Sequence, residues 1–593
     1  MKRKKLLWFL PLAAVIIALV LWLGGRPNGN QKIFLEKADL LKEKVVTDET
    51  INAIGDVPVD SLGNVVFFSV CDGSHRAKTY TGKGKTLSAA WKDAVQQTSK
   101  GIKRDLPEDS SELKWVRVDV VSDTRDVTDD ELLYEMSEVP SGFNFNGLAL
   151  DPQFEAAMPE GVLNGRHIYD YKENNLNISL LNEWLEETGR EPIEALPEDM
   201  IEFRCCGWFC DENNDTYTLC NWGADTGRRQ GIVLDAEYAR NIIDKASSYL
   251  VDQVTPEGKF IYGIYPQYDE EIDDYNILRH SGTIWSLVCR YRLFPDEKLK
   301  QTIESTIDYM LSQIKYDGEG TAYLYEEKDD EIKLGGNGIS VVAMTEYMDV
   351  FQNDAYVDEC VALGEGILKQ QDSEDGSYYH ILNSDFTVAE DFRTIYYDGE
   401  CTFALLRLYE LTGDQKWLDA ACKAIDHFID EDYTQYRDHW VAYSLNEVTK
   451  FVDRQDYYDF ALANAVNNYS RIEGRRRTYP TNLELLISAF ETWQRMVDKG
   501  LDTGNFDVQE LLDVISGRTN RQLSGYFYPE LAMYMQNPDR ILDSFMMRNS
   551  RFRVRIDDVQ HNIGGFYLYW KNYDAMLDAG LDPNLKDSSE RGN

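Results

Sequence analysis

The residues best suited to chemistry gather where apolar helical segments begin. Three of the seven histidines, His280, His439 and His561, lie at such starts, each beside acidic or basic side chains. Imidazole exchanges protons near neutral pH, and a carboxyl group does so when burial raises its pKa. Such residues around one cleft are typical of general acid–base catalysis.

Acidic residues at the same helix starts supply candidates for a pair of catalytic carboxylates. Glycoside hydrolysis needs one carboxylic acid to protonate the leaving oxygen and a second carboxylate to act as base or nucleophile. The preferred candidates are Asp398 and Asp558, followed by Asp438 and Glu400. The structural alternative for each is an N-cap or first-turn acid that stabilises its own helix.

A second reaction class fits another set of residues at these starts. Uronyl epimerases and polysaccharide lyases remove a proton next to a carboxylate, which needs a cation to neutralise the carboxylate and a Tyr or His as base. The candidate cations are Arg279, Arg475 and Arg555. The candidate bases are Tyr397, Tyr479, His439 and His561.

The remaining polar and aromatic residues at the helix starts are typical of a glycan-binding groove. Aromatic faces stack on sugar rings, although they also pack well in cores. The additional candidates for substrate binding are His280, Asn337, Trp440, Tyr479 and Gln560. We predict no metal and no cofactor, because the chain has no His-x3-His pair, no Walker-type loop and no dinucleotide motif.

Twelve helical segments must position these residues. From about residue 236, segments with one charged face alternate, in six pairs, with segments that open with small, polar or aromatic residues and then turn apolar. An inner ring of buried helices inside an outer ring with one wet face gives an (α/α)6 toroid. The turns that lead into the inner helices would line the open end of the ring.

This half of the chain resembles carbohydrate-active (α/α)6 proteins. The residues that carry the resemblance are RHSGT at 279–283, YYDGECTFALLRLYELTGDQKWLDAA at 396–421 and RIDDVQH at 555–561. They are most similar to the C-terminal domain of D-glucuronyl C5-epimerases and to unsaturated glucuronyl hydrolases. The resemblance implies the toroid and a polysaccharide or oligosaccharide ligand, and leaves the reaction open.

Composition limits the other possibilities. A chain of 593 residues exceeds a single core, and its net charge of -42 argues strongly against nucleic-acid binding. The predicted class is multidomain, with an α/β (α+β) domain before the all-α toroid. The predicted boundaries are a signal anchor over 1–24, a stalk over 25–57, an α/β domain over 58–232, the toroid over 233–581 and a polar tail over 582–593.

The region before the toroid predicts strands and helices. NVVFFSVCD and KWVRVDVVSD have strand character and flank the helical LSAAWKDAVQQTSKGI, in a β-α-β arrangement; ISLLNEWLEETG predicts a second helix. The region weakly resembles an AMMECR-like α/β domain, on the order of these segments with GFNFNGLALD and AMPE. Four cysteines lie in a predicted hairpin where a disulfide is plausible: Cys205, Cys206, Cys210 and Cys220.

The N-terminus predicts a membrane anchor. Four basic residues at 2–5 precede an uncharged apolar run over 6–23, which is just long enough to span a bilayer. The basic end is expected inside and the body outside the cytoplasm, with a cleaved signal peptide as the alternative. An anchored accessory protein in an envelope-polymer assembly, with unknown partners, is therefore a third functional hypothesis.

Overall fold

A computed structural model describes residues 27–48, 64–106, 111–129, 131–132, 146–170, 175–221, 223–474 and 478–584. The predicted anchor over 1–24, Arg475 and most of the predicted tail lie outside these ranges. Within them, no helix combines the length and the apolar run that crossing a bilayer requires.

A seven-stranded sheet forms the centre of the N-terminal domain. The domain contains nine strands: β1 (Asn64–Cys71), β2 (Lys78–Gly84), β3 (Trp115–Val127), β4 (Gly147–Ala149), β5 (Ala157–Met158), β6 (Tyr169–Asp170), β7 (Asn175–Leu176), β8 (Met200–Cys210) and β9 (Thr216–Thr218). The sheet order is β2-β1-β3-β8-β4-β5, with β9 paired to β8, while β6 and β7 pair separately. Every residue of β1 is buried, so both faces of the sheet are covered at its centre.

Four helices that lie wholly within the described residues accompany this sheet. They are α1 (Gly29–Thr47), α2 (Leu87–Asp105), α3 (Glu160–Gly165) and α4 (Ile178–Glu187), and the last of these is the second helix predicted from the sequence. α1 and α2 pack over one face of the sheet, around Phe68, Trp91 and Trp208. Phe67 and Phe203 stack on the other face.

The prediction of a stalk over 25–57 is wrong for α1. Phe34, Ala38, Leu41 and Val45 form an apolar stripe at helical spacing, and all four are buried in the core of the α/β domain. Lys37 Nζ also donates to Asn214 Oδ1 at 2.8 Å. The helix is therefore part of the domain.

A strand that the sequence did not predict changes the topology between the first two predicted strands. The polar segment KTYTGKG forms β2, which pairs antiparallel with β1, so β1 and β3 are also antiparallel. Glycine permits α2 to cross closely here, because a Cβ on Gly82 would lie 2.1 Å from the Ala94 nitrogen. The predicted cysteine hairpin forms as β8 and β9, and none of the nine cysteines, all of which are described, is in a disulfide.

The predicted (α/α)6 toroid is confirmed. The outer helices are α5 (Ala236–Asp252), α7 (Glu297–Leu311), α9 (Val357–Lys369), α11 (Gln415–Asp430), α13 (Gln455–Val466) and α16 (Val508–Leu523). The inner helices are α6 (Ile277–Leu293), α8 (Leu334–Phe351), α10 (Tyr396–Thr412), α12 (His439–Val448), α15 (Thr481–Lys499) and α19 (Ile556–Asp578). Each inner helix packs on the next, and α19 packs on α6 to close the ring.

Burial separates the two rings as the sequence pattern predicts. Every residue from Leu334 to Met348 of inner helix α8 is buried. Outer helix α11 buries Trp417, Ala421, Ala424 and Phe428, at spacings of three and four residues, and exposes its other face. The inner ring therefore presents side chains both to its neighbours and to the ring axis.

Short elements surround the ring ends. The strands are β10 (Gly263–Tyr265), β11 (Glu270–Glu271), β12 (Ile314–Tyr316), β13 (Ala322–Glu326), β14 (Glu331–Lys333), β15 (Ile381–Asn383), β16 (Val388–Glu390) and β17 (Val554–Arg555). The short helices are α14 (Tyr469–Glu473), α17 (Pro529–Ala532) and α18 (Pro538–Ile541). β14 leads directly into α8 and β17 into α19, so these strands fix where the two inner helices begin.

Candidate active site

A cleft of about 300 Å³ lies at the N-terminal ends of the inner helices. We call it the front cleft. Ten residues that the sequence predicts for the site line it, together with residues to which the prediction gave no role. The predicted ones are Arg279, Tyr397, Glu400, His439, Trp440, Tyr479, Arg555, Asp558, Gln560 and His561. The ring thus brings together residues that are nearly 300 positions apart in the chain.

Two histidines face each other beside a buried carboxylate. The ring centroids of His439 and His561 are 5.0 Å apart. His561 Nδ1 donates to Glu484 Oε2 at 2.9 Å, and Tyr443 donates to Glu484 Oε1 at 3.0 Å. Gly564 leaves room for this carboxylate, because a Cβ there would lie 2.5 Å from Glu484 Oε1.

The surroundings drive the pKa values of the two imidazoles apart. Burial acts to lower the pKa of His561, but the Glu484 carboxylate outweighs it and raises that pKa above the usual value. Burial, and then the nearby His561, lowers the pKa of His439 well below the usual value. His439 is 2% exposed, and within the described part of the chain neither of its ring nitrogens has a hydrogen-bond partner. The pair therefore combines a neutral imidazole with one that holds a proton more tightly.

Glu400 is a third group whose pKa is shifted from its usual value. It is 4% exposed, and no residue that the structure describes forms a hydrogen bond with its Oε2 atom. Burial raises its pKa to about 8 against the opposing effect of Arg279. The carboxyl group lies over Gly335, where a Cβ would be 1.8 Å from Oε2. Near neutral pH Glu400 is therefore largely a neutral acid that can donate a hydrogen bond.

Paired arginines and aspartates form the wall beside β17. Arg279 Nε lies 3.0 Å from Asp557 Oδ2, and Arg555 forms a bidentate pair with the same carboxylate. Arg553 forms a bidentate pair with Asp558, with both distances 3.1 Å. Although burial acts in the opposite direction, Arg279 and Arg555 lower the pKa of Asp557. Burial and then Asp557 raise the pKa of Asp558.

Tyrosines and a tryptophan form the rest of the lining. The hydroxyls of Tyr396 and Tyr479 are 3.0 Å apart, and Trp440 packs against His439 with ring centroids 4.8 Å apart. Burial raises the pKa of Tyr397 above the usual value, which does not favour its predicted role as a base. These rings provide apolar surface next to the titratable groups.

Two of the preferred carboxylates do not line the front cleft, contrary to the prediction. Asp398 accepts hydrogen bonds from His380 Nε2 at 2.9 Å and from the Tyr433 hydroxyl at 3.1 Å. Asp438 is the N-cap of α12 and accepts from the Trp440 backbone N–H at 2.8 Å. Both are fixed by structural hydrogen bonds, which is the role that acids at helix starts often have.

His280 and Asn337 also lie away from the front cleft, contrary to the prediction. His280 is fully buried, with Nδ1 2.7 Å from the Tyr275 hydroxyl and Nε2 2.8 Å from the Thr306 carbonyl. Asn337 Oδ1 accepts from the Leu324 backbone N–H at 2.8 Å. Each residue ties a loop or strand to an inner helix.

We expect Asp398→Asn to lower stability without acting directly on the chemistry. The amide cannot accept from both His380 and Tyr433 as the carboxylate does, and a weakened buried hydrogen bond to a charged group costs about 1–3 kcal/mol of unfolding free energy. Urea denaturation measures this loss, with the exposed Asp354→Asn as control. A stable Asp398→Asn variant that has lost all activity would contradict the structural role.

The histidine pair also forms a group that could hold a metal ion. One ligand atom from each of His439, Glu484 and His561 lies within 4.8 Å of the others. The sequence did not predict this, because the three come from inner helices α12, α15 and α19 and have no metal-binding spacing along the chain. Two imidazoles and a carboxylate suit zinc and other first-row metals.

Some residues of the site had no role in the sequence prediction. Glu484 and Arg553 stood among the polar residues at helix starts, but nothing distinguished them there. The sequence does contain a signal for Glu484. It is a charged residue in TNLELLISAF, a mostly apolar run that the helix buries. A buried carboxylate requires a partner, and His561 is that partner.

No protein-family model matches the chain, and no curated protein matches it significantly. Among solved structures, a D-mannose isomerase matches 57% of this chain and 97% of its own at 10% identity and a TM-score of 0.44. A cellobiose 2-epimerase from Bacillus thermoamylovorans matches 48% and 86% at 14% identity and a TM-score of 0.39. An unsaturated glucuronyl hydrolase specific for heparin matches 59% and 99% at 10% identity and a TM-score of 0.40. These names cover the enzyme classes that the sequence predicts, but at such TM-scores they do not distinguish between reactions.

Proposed function

We propose that this protein is a carbohydrate-active enzyme that moves protons at sugar carbons, as an epimerase or isomerase. The observation that supports this most strongly is the His439–His561 pair, whose pKa values are shifted in opposite directions at a ring separation of 5.0 Å. Reactions that remove a proton beside a carbonyl and return one elsewhere need such a base and such an acid.

In the proposed reaction side chains around the cleft move to expose a ring nitrogen of His439, both of which are buried, and the neutral imidazole then takes the proton from the carbon next to the sugar carbonyl. His561, protonated and held by Glu484, returns a proton to the other face of that carbon or to the neighbouring carbon. The first outcome is epimerisation and the second is isomerisation. The carbon-bound proton lost from the sugar then resides on His439, and the carbon-bound proton gained comes from His561. Isomerisation also moves a proton between the two oxygens: Glu400 gives its proton to the former carbonyl oxygen and takes the hydroxyl proton from the carbon that becomes the new carbonyl.

Negative charge develops on the carbonyl oxygen during this transfer. The protonated Glu400 and the guanidinium of Arg279 are the groups proposed to stabilise it, because both line the front cleft and can donate hydrogen bonds. A volume of about 300 Å³ is at the small end of ligand sites, which favours a monosaccharide, a disaccharide or the end of a longer glycan.

The direct test incubates the protein in D2O with neutral sugars, uronic acids and polysaccharides. We expect deuterium in the sugar and formation of an epimer or isomer, followed by NMR, without new reducing ends. The reaction should persist after treatment with a chelator, which separates acid–base use of His439 and His561 from metal binding by the same residues. New reducing ends without deuterium in the sugar carbons would contradict the proposal.

The pH dependence supplies a further prediction. His561 must carry its proton, so the rate falls as pH rises through its raised pKa. His439 must be neutral, so the rate falls at low pH through its lowered pKa. In Glu484→Gln the carboxylate that raises the His561 pKa is gone, so the alkaline limb of kcat should move to lower pH. If the alkaline limb lies at the same pH in the wild type and in Glu484→Gln, it belongs to a group other than His561.

Glycoside hydrolysis is the second candidate. Glu400, with a pKa of about 8, is suited to protonate a leaving oxygen. The second carboxylate would have to be Asp557 or Asp558, whose oxygens are occupied by bidentate arginine pairs. These pairs are the reason why we place hydrolysis second, although the sequence favoured it.

We also propose that the enzyme is anchored in a membrane with its body outside the cytoplasm. The support is the basic cluster at 2–5 followed by the apolar run over 6–23. Alkaline carbonate extraction of membranes tests this: the full chain should stay with the membrane, and a chain that begins at residue 27 should be released. Release of both chains would contradict the proposed membrane anchor.

A further inference from the structure

A second cavity, of about 570 Å³, occupies the ring from the opposite end. Every inner helix contributes to it, mostly from its middle onward, and Glu484 in the first turn of α15 and Gln560 near the start of α19 reach it as well. One representative from each helix in chain order is Trp285, Glu346, Arg407, Glu447, Arg495 and Tyr567. We call it the rear cavity. The ring axis is therefore unfilled at both ends, and the proposed reaction uses only the front cleft.

The charges that line the rear cavity balance. Five basic and five acidic side chains lie along its wall. Several neutralise each other directly: Glu346 lies 2.7 Å from Arg292 and 3.2 Å from Arg407. A balanced wall has little preference for an anion or a cation, but it offers many hydrogen-bond donors and acceptors. This favours a neutral ligand with many polar groups.

Aromatic side chains line the inner part of the same cavity. Trp285 is partly exposed there, with Tyr443 and Phe403 beside it at ring-centroid distances of 5.6 and 6.2 Å. A flat, partly exposed indole among charged groups suits a ligand with one apolar face and a polar edge. Sugar rings have this character, because their C–H groups form a face and their hydroxyls form the edge.

One buried acceptor in the rear cavity has no donor. Glu447 is 5% exposed; its Oε2 atom accepts from Lys450 Nζ at 2.6 Å, while Oε1 has no hydrogen-bond partner among the described residues. An orphaned buried oxygen is unfavourable, so such atoms usually mark a missing partner. A ligand hydroxyl would supply the donor.

We propose that the rear cavity is a second binding site, for a neutral carbohydrate. The sugar ring stacks on Trp285 and one hydroxyl donates to Glu447 Oε1. The site opens at the other end of the ring from the front cleft; Gln560 lines both, and Glu484, which holds His561, also lines the rear cavity. Its occupancy does not depend on the proposed reaction.

Crystals of the whole chain soaked at saturation with D-glucose, D-mannose and D-galactose test this site. We expect one of these sugars in the rear cavity, over Trp285 and within hydrogen-bond distance of Glu447. Ligand-observed NMR of the same sugar in solution should give an affinity at least about 10-fold weaker for Glu447→Gln, because a hydrogen bond to a charged group is lost. The exposed Glu297→Gln is the matched control and should bind as the wild type does.

The outcomes separate the rear site from the front cleft. In His561→Asn the sugar should remain in the rear cavity even though turnover is lost. A rear cavity that holds none of the three sugars in the wild-type soak would overturn the proposal. So would unchanged NMR affinity in Glu447→Gln, because all binding would then belong to another site.

Discussion

His561→Asn is expected to reduce turnover by about 10²–10⁴-fold, the usual contribution of a general acid or base. Asparagine can still occupy much of the space and donate a hydrogen bond from its amide to Glu484, but it cannot carry the proton that the product receives. The measurement is the rate of epimer or isomer formation under saturating sugar, with circular dichroism to establish that the ring is folded.

His75→Asn is the control for this substitution. His75 lies in the α/β domain with its side chain 77% exposed, so its loss should leave turnover unchanged. If His561→Asn retained wild-type turnover at every pH, His561 would not be the acid. The reaction would then have to be assigned to Glu400 and the aspartates.

Gly335→Ala is expected to reduce turnover by about 10²-fold by moving Glu400, since small displacements of a catalytic group have effects of this size. The new methyl group would lie 1.8 Å from Glu400 Oε2, so the carboxyl group must leave its place over α8. Alanine favours the helix by about 1 kcal/mol, but overpacking costs about 1–3 kcal/mol. Stability should therefore change little while activity falls.

The next residue on the same helix is the matched control. A methyl group on Gly336 would lie 3.3 Å from the Leu324 side chain, a contact that a small shift relieves, and it would not approach Glu400. Gly336→Ala should therefore keep most of its activity. Glu400→Gln should lose about as much turnover as Gly335→Ala. Full activity in Glu400→Gln would show that Glu400 has no catalytic role.

The toroid could be predicted from the sequence because its two rings differ in burial. Leu334–Met348 has no exposed face, whereas the outer Gln415–Asp430 has a clear apolar stripe, and this contrast repeats six times along the chain. The α/β domain was harder to predict. β2 is polar, with two lysines and two glycines among its seven residues. α1 has further apolar residues outside its buried stripe, including Ile33, Leu35 and Leu40, so neither segment has a clean pattern.

The location of the site could be predicted from the sequence, but not which side chains it brings together. Helix starts were the correct place to search, because all inner helices begin at one end of the ring, and ten of the chosen residues line the front cleft. Which of two neighbouring acids faces the axis depends on helix rotation, which the sequence leaves open. Asp398 and Glu400 are two positions apart, and one holds His380 while the other faces the cleft.

The pairing of side chains from distant helices could not be predicted either. His439, Glu484 and His561 come from three inner helices, and only ring closure brings their ligand atoms within 4.8 Å. The pKa shifts depend on that contact and on burial in the assembled ring. A single sequence contains no direct record of either.

Hydrogen exchange by single-histidine variants tests the central claim most directly. Each of two interconverting sugars, carrying deuterium at the reacting carbon, is incubated in H2O with His439→Asn or His561→Asn, and the loss of deuterium is followed by NMR. If the imidazoles act on different faces, His439→Asn should lose exchange from one sugar and keep it from the other, and His561→Asn should show the reverse. Equal exchange from both sugars in both variants would contradict a two-histidine mechanism.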